Sequence, residues 1–242
     1  MKRLLAMASA IIISVGMVST AQAASYSFST ANSPFGYGPN SQGWWSENLG
    51  GTGESNVYAG HTFFNTARNF FTFDLSGLSL AEDEKVVSAS LSGLAYSTGG
   101  VTSGVSLTVL YTLFDVSTDA ETLNKNDSLN LAIYDDLGTG NSYGNREFSN
   151  EQYEYDFEMS LNELAFLDIM GAQGGYFSIG GAATIFSESG EGYIFGSSGE
   201  TPYSLSIETQ ISAVPLPAAL PLYGAGLAVL GFVGWRKKRK AA

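Results

Sequence analysis

The amino-acid sequence predicts an all-β protein: a β-sandwich, of jelly-roll type, with one short helix, framed by an N-terminal signal peptide and a C-terminal transmembrane helix. Three observations carry that prediction. Apolar and polar residues alternate with a period of two through most of the chain, glycine-rich stretches separate the alternating runs, and no strand–helix–strand rhythm of a parallel sheet is present.

Taken in order, Phe71 and Phe73 flank Thr72 in one strand, and Val87, Ala89 and Leu91 alternate with Ser88, Ser90 and Ser92 in the next. Leu107, Val109, Tyr111 and Leu113 make another apolar face. Tyr153, Tyr155, Phe157 and Met159 alternate with Glu154, Asp156 and Glu158, one greasy face and one charged face, as a half-buried antiparallel strand requires. Tyr203, Leu205, Ile207 and Ile211 alternate with Ser204, Ser206, Glu208 and Gln210. Glycine gathers between these runs, at Gly99-Gly100, at 138–144 and at 171–175, whereas Gly93 is predicted to mark a bulge. In residues 160–170, Leu161, Leu164, Leu167 and Met170 recur every third position. That spacing predicts the one helix, with Ser160 as N-cap, Glu163 three residues on and Gly171 as its stop. Residues 32–56, rich in Gly, Ser and Asn, read as a long ordered loop because five large apolar residues are spread through them. The total is about eight to ten strands, with no fixed-period repeat.

The two ends differ from this body. Lys2 and Arg3 precede an apolar run over residues 4–18, and Ala21-Gln22-Ala23 is a small-x-small cleavage site, so residues 1–23 read as a secretory signal peptide. Residues 218–235 carry no charge and reach roughly 27 Å as a helix, close to the ~30 Å hydrocarbon thickness of a bilayer. Arg236, Lys237, Lys238, Arg239 and Lys240 follow as a basic stop, which the positive-inside tendency holds in the cytoplasm. A buried C-terminal helix would have to bury those cations or leave an apolar rod bare. The division is therefore signal peptide 1–23, sandwich body 24–212 and a C-terminal segment 213–242.

Val214-Pro215-Leu216-Pro217-Ala218, a glycine-bearing apolar helix and the basic cluster together resemble the PEP-CTERM sorting signal in its VPLPA variant; Leu216 stands where the commoner form has Glu. The resemblance implies an exosortase-like membrane protease or transpeptidase as partner, recognition at the proline motif and removal of the tail. It also implies an inner-membrane-anchored precursor that passes to the cell surface or extracellular matrix. Within the body, Arg68-Asn69-Phe70-Phe71-Thr72-Phe73-Asp74-Leu75-Ser76, followed by Val86-Val87-Ser88-Ala89-Ser90-Leu91, is similar to the FDLS pattern of exported β-sandwich modules such as the DNRLRE-like domains. The stretch 161–181, which ends in Tyr176-Phe177-Ser178-Ile179-Gly180-Gly181, is similar to the cargo of the same class.

Charge narrows the function further. With the two ends set aside, the body keeps four cations, Arg68, Lys85, Lys125 and Arg146, against all 23 acids, a net of −19. Such a surface repels nucleic acid and anionic lipid. The chain has no cysteine, which removes thiol catalysis and Cys-ligated metal, and His61 is its one histidine. No G-x-S-x-G elbow or phosphate-cradling loop is present, and 23 acids make a chance carboxylate pair inevitable, so an enzyme is not expected. Asp135, Asp136 and Asn141, in an oxygen-rich glycine loop, are the candidate calcium ligands, with Asp115 and Asp119 weaker ones. Trp44 and Trp45 are the candidate sugar-stacking rings, with Glu47 alongside; on an extended chain at most one of them faces solvent. The leading expectation is an exported structural or adhesive protein of the bacterial surface or exopolysaccharide matrix. A carbohydrate-binding module stands second, and a secreted hydrolase third.

Overall fold

The structure is a computed structural model of the 242-residue chain and describes residues 23–52, 56–62, 65–95, 98–99, 107–125, 127–149, 155–187, 190–195, 201–211, 226–231 and 236. Among them the strands are β1 (Ala23–Ser29), β2 (Gln42–Ser46), β3 (Gly50–Thr52), β4 (Ala59–Thr62), β5 (Asn65–Asp74), β6 (Glu84–Ala95) and β7 (Thr98–Gly99). They continue with β8 (Leu107–Asp115), β9 (Ser142–Ser149), β10 (Tyr155–Ser160), β11 (Tyr176–Ser187), β12 (Gly192–Ile194) and β13 (Ser204–Ile211). The helices are α1 (Ala120–Leu123), α2 (Leu131–Asp136) and α3 (Glu163–Gly171).

Every described strand pair is antiparallel. One sheet runs β1-β13-β6-β10; the other runs β7-β12-β4-β5-β11-β8-β9, with β2 paired to β5 and β3 to β2. The two sheets face each other as a sandwich, and the longer strands pass from sheet to sheet: β5 to β6, β6 to β8, β9 to β10, β10 to β11, and β11 to β13.

The count exceeds the expected eight to ten strands because five of the thirteen, β2, β3, β4, β7 and β12, are no longer than five residues and give a period-two pattern too little room. The expected long loop over 32–56 thus contains the β2–β3 hairpin. Within the described part of residues 23–211, three helices replace the expected one. Asp119 and Asn130 cap α1 and α2 by accepting from the N–H of Thr122 and Ala132. The third starts later than expected: Asn162 caps it through Leu164 and Ala165, Ser160 ends β10, and Gly171 lies within the last turn ahead of Ala172. Its packed face is Ala165 and Ile169, four residues apart, while Leu164 and Leu167 point outward.

The bulge falls elsewhere than Gly93. Glu208 pairs with Ser88 but Thr209 with Val86, so Val87 is the extra residue. The slip exposes Val87 and turns Val86 inward, reversing the phase the sequence suggests before Ala89 and Leu91 resume it. Gly93 stays in regular register with Phe157, and a Cβ there would enter the Tyr203 ring. The glycine is an aromatic seat.

The main core lies between the sheets. Tyr203 packs on Phe71 at 4.7 Å between ring centroids, and Phe195 sits edge-on to Phe157 at 4.9 Å and to Tyr111 at 5.1 Å. The polar tip of Tyr111 is satisfied: its hydroxyl donates to Asn69 Oδ1 at 2.6 Å, and Asn69 Nδ2 donates to the carbonyl of Val57 at 2.5 Å. Burial pushes the Tyr111 phenol well above its ordinary range. Gly181 makes room for this pair, since a Cβ there would overlap both the Tyr111 hydroxyl and Asn69 Oδ1. A second core, of Trp45, Phe70, Leu123, Ile133, Tyr134 and Leu137, joins the β2–β5 part of the large sheet to α1 and α2.

Residues 22–211 form one compact unit that holds both cores; the described C-terminal residues belong to a second. Residues 1–22, Val214, Pro215, Leu216, Pro217, Ala218, Lys237, Lys238, Arg239 and Lys240 lie outside the described residues, as do Tyr153 and Glu154. Among the described residues no helix is long and apolar enough to cross a membrane; the expected span over 218–235 is described only at 226–231.

Gly181→Ala is expected to lower stability by about 1–3 kcal/mol, the usual cost of overpacking, read as a lower urea midpoint at unchanged slope. A midpoint equal to that of the parent would contradict the packing of Tyr111 against Asn69.

Candidate functional site

The candidate residues from the sequence occupy three different environments. Trp45 is core: it is 1% exposed, its Nε1 donates to the Leu123 carbonyl at 2.9 Å, and Gly51 lies so close that a Cβ would enter the indole. It is removed as a stacking ring, because alternation along β2 turns it into the second core. Trp44, on the opposite face of β2, is half-buried, with exposed Glu47 just beyond the strand.

Asp135, Asp136 and Asn141 do not share one loop. The two aspartates end α2, where the Asp136 carboxylate accepts from the N–H and hydroxyl of both Ser117 and Thr118 at 2.7–3.0 Å. Asp135 pairs with Arg68 at 3.8 Å on an exposed surface. Asn141 instead meets Asp115, donating from its backbone N–H at 2.6 Å and from Nδ2 at 3.2 Å. Asp119 is spent on capping α1, and the Thr122 backbone N–H holds its carboxyl below the usual range. Among the described residues no group of three or more His, Asp or Glu side chains gathers where it could hold a metal. Asp156 and Glu158 lie on the wet face of β10, and the exposed ring of His61 meets Thr66 Oγ1 at 2.8 Å.

A different constellation lines an open cleft of about 370 Å³ where β8 ends, β9 and β11 begin and α3 crosses. Asp115, Ser117, Tyr143, Asp168, Tyr176 and Ser178 supply its polar and aromatic groups. Asp115 is fixed by Asn141, and Gly140, at φ +91°, carries the chain past it where a Cβ would strike its Oδ1. Tyr143 is buried, with its ring 5.9 Å from that of Phe177, and its hydroxyl donates to Asp168 Oδ2 at 2.7 Å. Burial first, and the Asp168 carboxylate second, push the Tyr143 phenol above its ordinary range. Tyr176 is 43% exposed and leans on Phe35 at 5.1 Å between centroids. Among the described residues no basic side chain lines the cleft. It therefore offers fixed hydrogen-bond acceptors beside an open aromatic ring. The sequence does not reveal it because its residues come from four separated segments; among them only Asp115 is a candidate site residue from the sequence, for calcium.

Arg68 lies in a smaller cleft of about 180 Å³ but is structurally engaged. It donates to the Tyr134 and Asp135 carbonyls at 2.9 and 3.1 Å, caps the end of α2, and stacks 4.2 Å over the Tyr134 ring.

No family model matches this chain, and no curated protein matches it in sequence.

Because the phenols of Tyr111 and Tyr143 are raised in the folded state, the stability they hold is intact below the ordinary tyrosine pKa of ~10 and falls as pH rises beyond it, when only the unfolded chain ionises. Tyr143→Phe is expected to make that alkaline decline shallower in urea titrations across the range. An identical slope in the variant would contradict the burial of the Tyr143 hydroxyl against Asp168.

Proposed function

We propose that this chain is an exported structural or adhesive protein of the bacterial surface or exopolysaccharide matrix, acting by binding rather than turnover. In this reading the signal peptide over 1–23 directs export, and the tail over 213–242 anchors a precursor in the inner membrane. An exosortase-like protease or transpeptidase then acts at Val214-Pro215-Leu216-Pro217-Ala218. The body is read as a jelly roll, which the sheet orders β1-β13-β6-β10 and β5-β11-β8-β9 favour.

One observation carries the reading. Residues 226–231 are helical, and Leu227, Val229 and Leu230 expose 56, 62 and 69% of their surface. Leaving such aliphatic side chains in water forgoes roughly 1.5–3 kcal/mol each, so the segment calls for an apolar medium, which lipid supplies. Arg236, helical and exposed, begins the basic stop at the far end of the same segment. Binding is preferred because the carboxylates of the cleft are held as fixed acceptors, Asp115 by Asn141 and Asp168 by Tyr143. Calcium is not called on, since Asp136 already accepts four hydrogen bonds.

Expressed in a host with an exosortase, the protein is expected outside the cytoplasm with a mass lacking both residues 1–23 and the tail beyond the proline motif. Truncation after Ser212 should free it from the membrane without lowering its melting temperature. Recovery of the intact chain from the cytosol, soluble and unprocessed, would end the reading.

A further inference from the structure

We infer that the cleft formed by β8, β9, β11 and α3 binds a glycan unit that carries a free amine, a glucosamine-type cationic sugar. The inference rests on the matrix reading for the kind of polymer the protein meets; the recognition itself follows from the cleft.

Size comes first. About 370 Å³ falls at the small end of the ~300–1,000 Å³ of ligand pockets, suited to one or two sugar rings of a longer polymer passing across an open site. The wall includes the exposed ring of Tyr176, braced by Phe35, and an open aromatic face is what the C–H side of a pyranose packs on. Its ring body is apolar and the residue is 43% exposed, so it is open to a sugar face.

The polar groups are built and directional. Each carboxylate has about four acceptor positions, of which Asn141 takes two on Asp115 and Tyr143 one on Asp168, so both keep capacity for ligand donors while being held in place. Ser178 supplies the reverse polarity. It is 9% exposed, and its Oγ lies 2.9 Å from Thr72 Oγ1, which in turn accepts from Asn124 Nδ2 at 3.2 Å. Either hydroxyl can donate to the other, and Ser178 lines the cleft, so its hydroxyl is placed to exchange a hydrogen bond with a ligand oxygen.

Charge selects among sugars. Among the described residues two aspartates and no cation line the cleft, in a body of net charge −19. A uronate or sulfated polymer is repelled from it, a neutral sugar leaves the carboxylates uncompensated, and an ammonium balances them through charge-assisted hydrogen bonds. N-acetylation removes that charge and leaves a single amide N–H in place of three ammonium hydrogens.

The test is calorimetric titration of residues 24–212, which hold both cores and every described strand pairing except that of Ala23. The probes are β-1,4-linked oligomers of glucosamine, N-acetylglucosamine and glucose, in about 0.15 M salt, where exposed charges more than ~8 Å apart are screened. The glucosamine oligomer is expected to bind and the other two to bind much more weakly. Tyr176→Ala and Asp168→Asn should each weaken binding roughly tenfold at unchanged melting temperature, while Glu147→Gln, on the exposed part of β9, leaves it intact. Equal losses in Glu147→Gln and Asp168→Asn would mean diffuse attraction and overturn the site. Equal affinity for the acetylated or glucose oligomer would overturn the role of the amine, and no binding at all would overturn the cleft. A cytosolic, unprocessed protein would defeat the export reading and leave these titrations unchanged, so the two can fail separately.

Discussion

The structure depends on one strand that is buried on both faces. In β5 the five residues Asn69, Phe70, Phe71, Thr72 and Phe73 are all essentially inaccessible, so alternation along the strand sends apolar rings in both directions. Phe71 and Phe73 face the sandwich interior, and Phe70 faces away from it. A bare Phe70 would be costly, and the chain covers it with its own material: the connection from β8 to β9 folds back as α1 and α2, with Trp45 between them and the sheet. That cover also sets the rim of the cleft. Asp136 ties Ser117 and Thr118 to the end of α2, and Asn141 ties Asp115, so the segment that closes the second core is the one that positions the first carboxylate. Packing and candidate site share a cause.

The interior mixes aliphatic side chains with rings, and several of the rings are seated on glycines. Gly93 receives Tyr203, Gly51 receives Trp45, and Gly181 leaves room for the hydrogen-bonded pair of Tyr111 and Asn69. Phe195 shows how strongly this packing is enforced. It holds φ at 62°, a conformation that costs an ordinary side chain free energy, yet it is fully buried among Phe71, Tyr111, Phe157 and Tyr203. Its ring contacts offset that strain. Both sides of β5 are covered from within residues 22–211.

The legible parts of this fold were those where one face is wet and one dry over many residues. Leu107, Val109, Tyr111 and Leu113 alternate as read, as do Tyr203, Leu205 and Ile207, because each strand there has a single buried face. The reading failed where that condition fails. A one-residue bulge at Val87 inverts the phase of β6, and no residue type there announces it. In α3 the three-residue leucine spacing pointed to the wrong side, since Ala165 and Ile169 pack while Leu167 is 60% exposed. Asp119 and Asn130 are the caps that mark the short helices in the sequence, whereas the oxygen-rich, glycine-bearing stretch over 135–144 has the composition of a loop although it begins as the end of α2. The cleft was beyond sequence reasoning, because only the tertiary fold brings Asp115, Tyr143, Asp168 and Tyr176 together.

The central claim is that a self-sufficient acidic sandwich is delivered across a membrane that its tail enters. A chain with no cysteine permits a direct measurement of that topology by single-cysteine labelling. In spheroplasts of a host without an exosortase, Thr139→Cys, on the exposed turn after α2, should react with a membrane-impermeant maleimide, whereas Lys240→Cys should react only after lysis. Labelling of Lys240→Cys from outside, or silence of Thr139→Cys until the membrane is broken, would contradict the account.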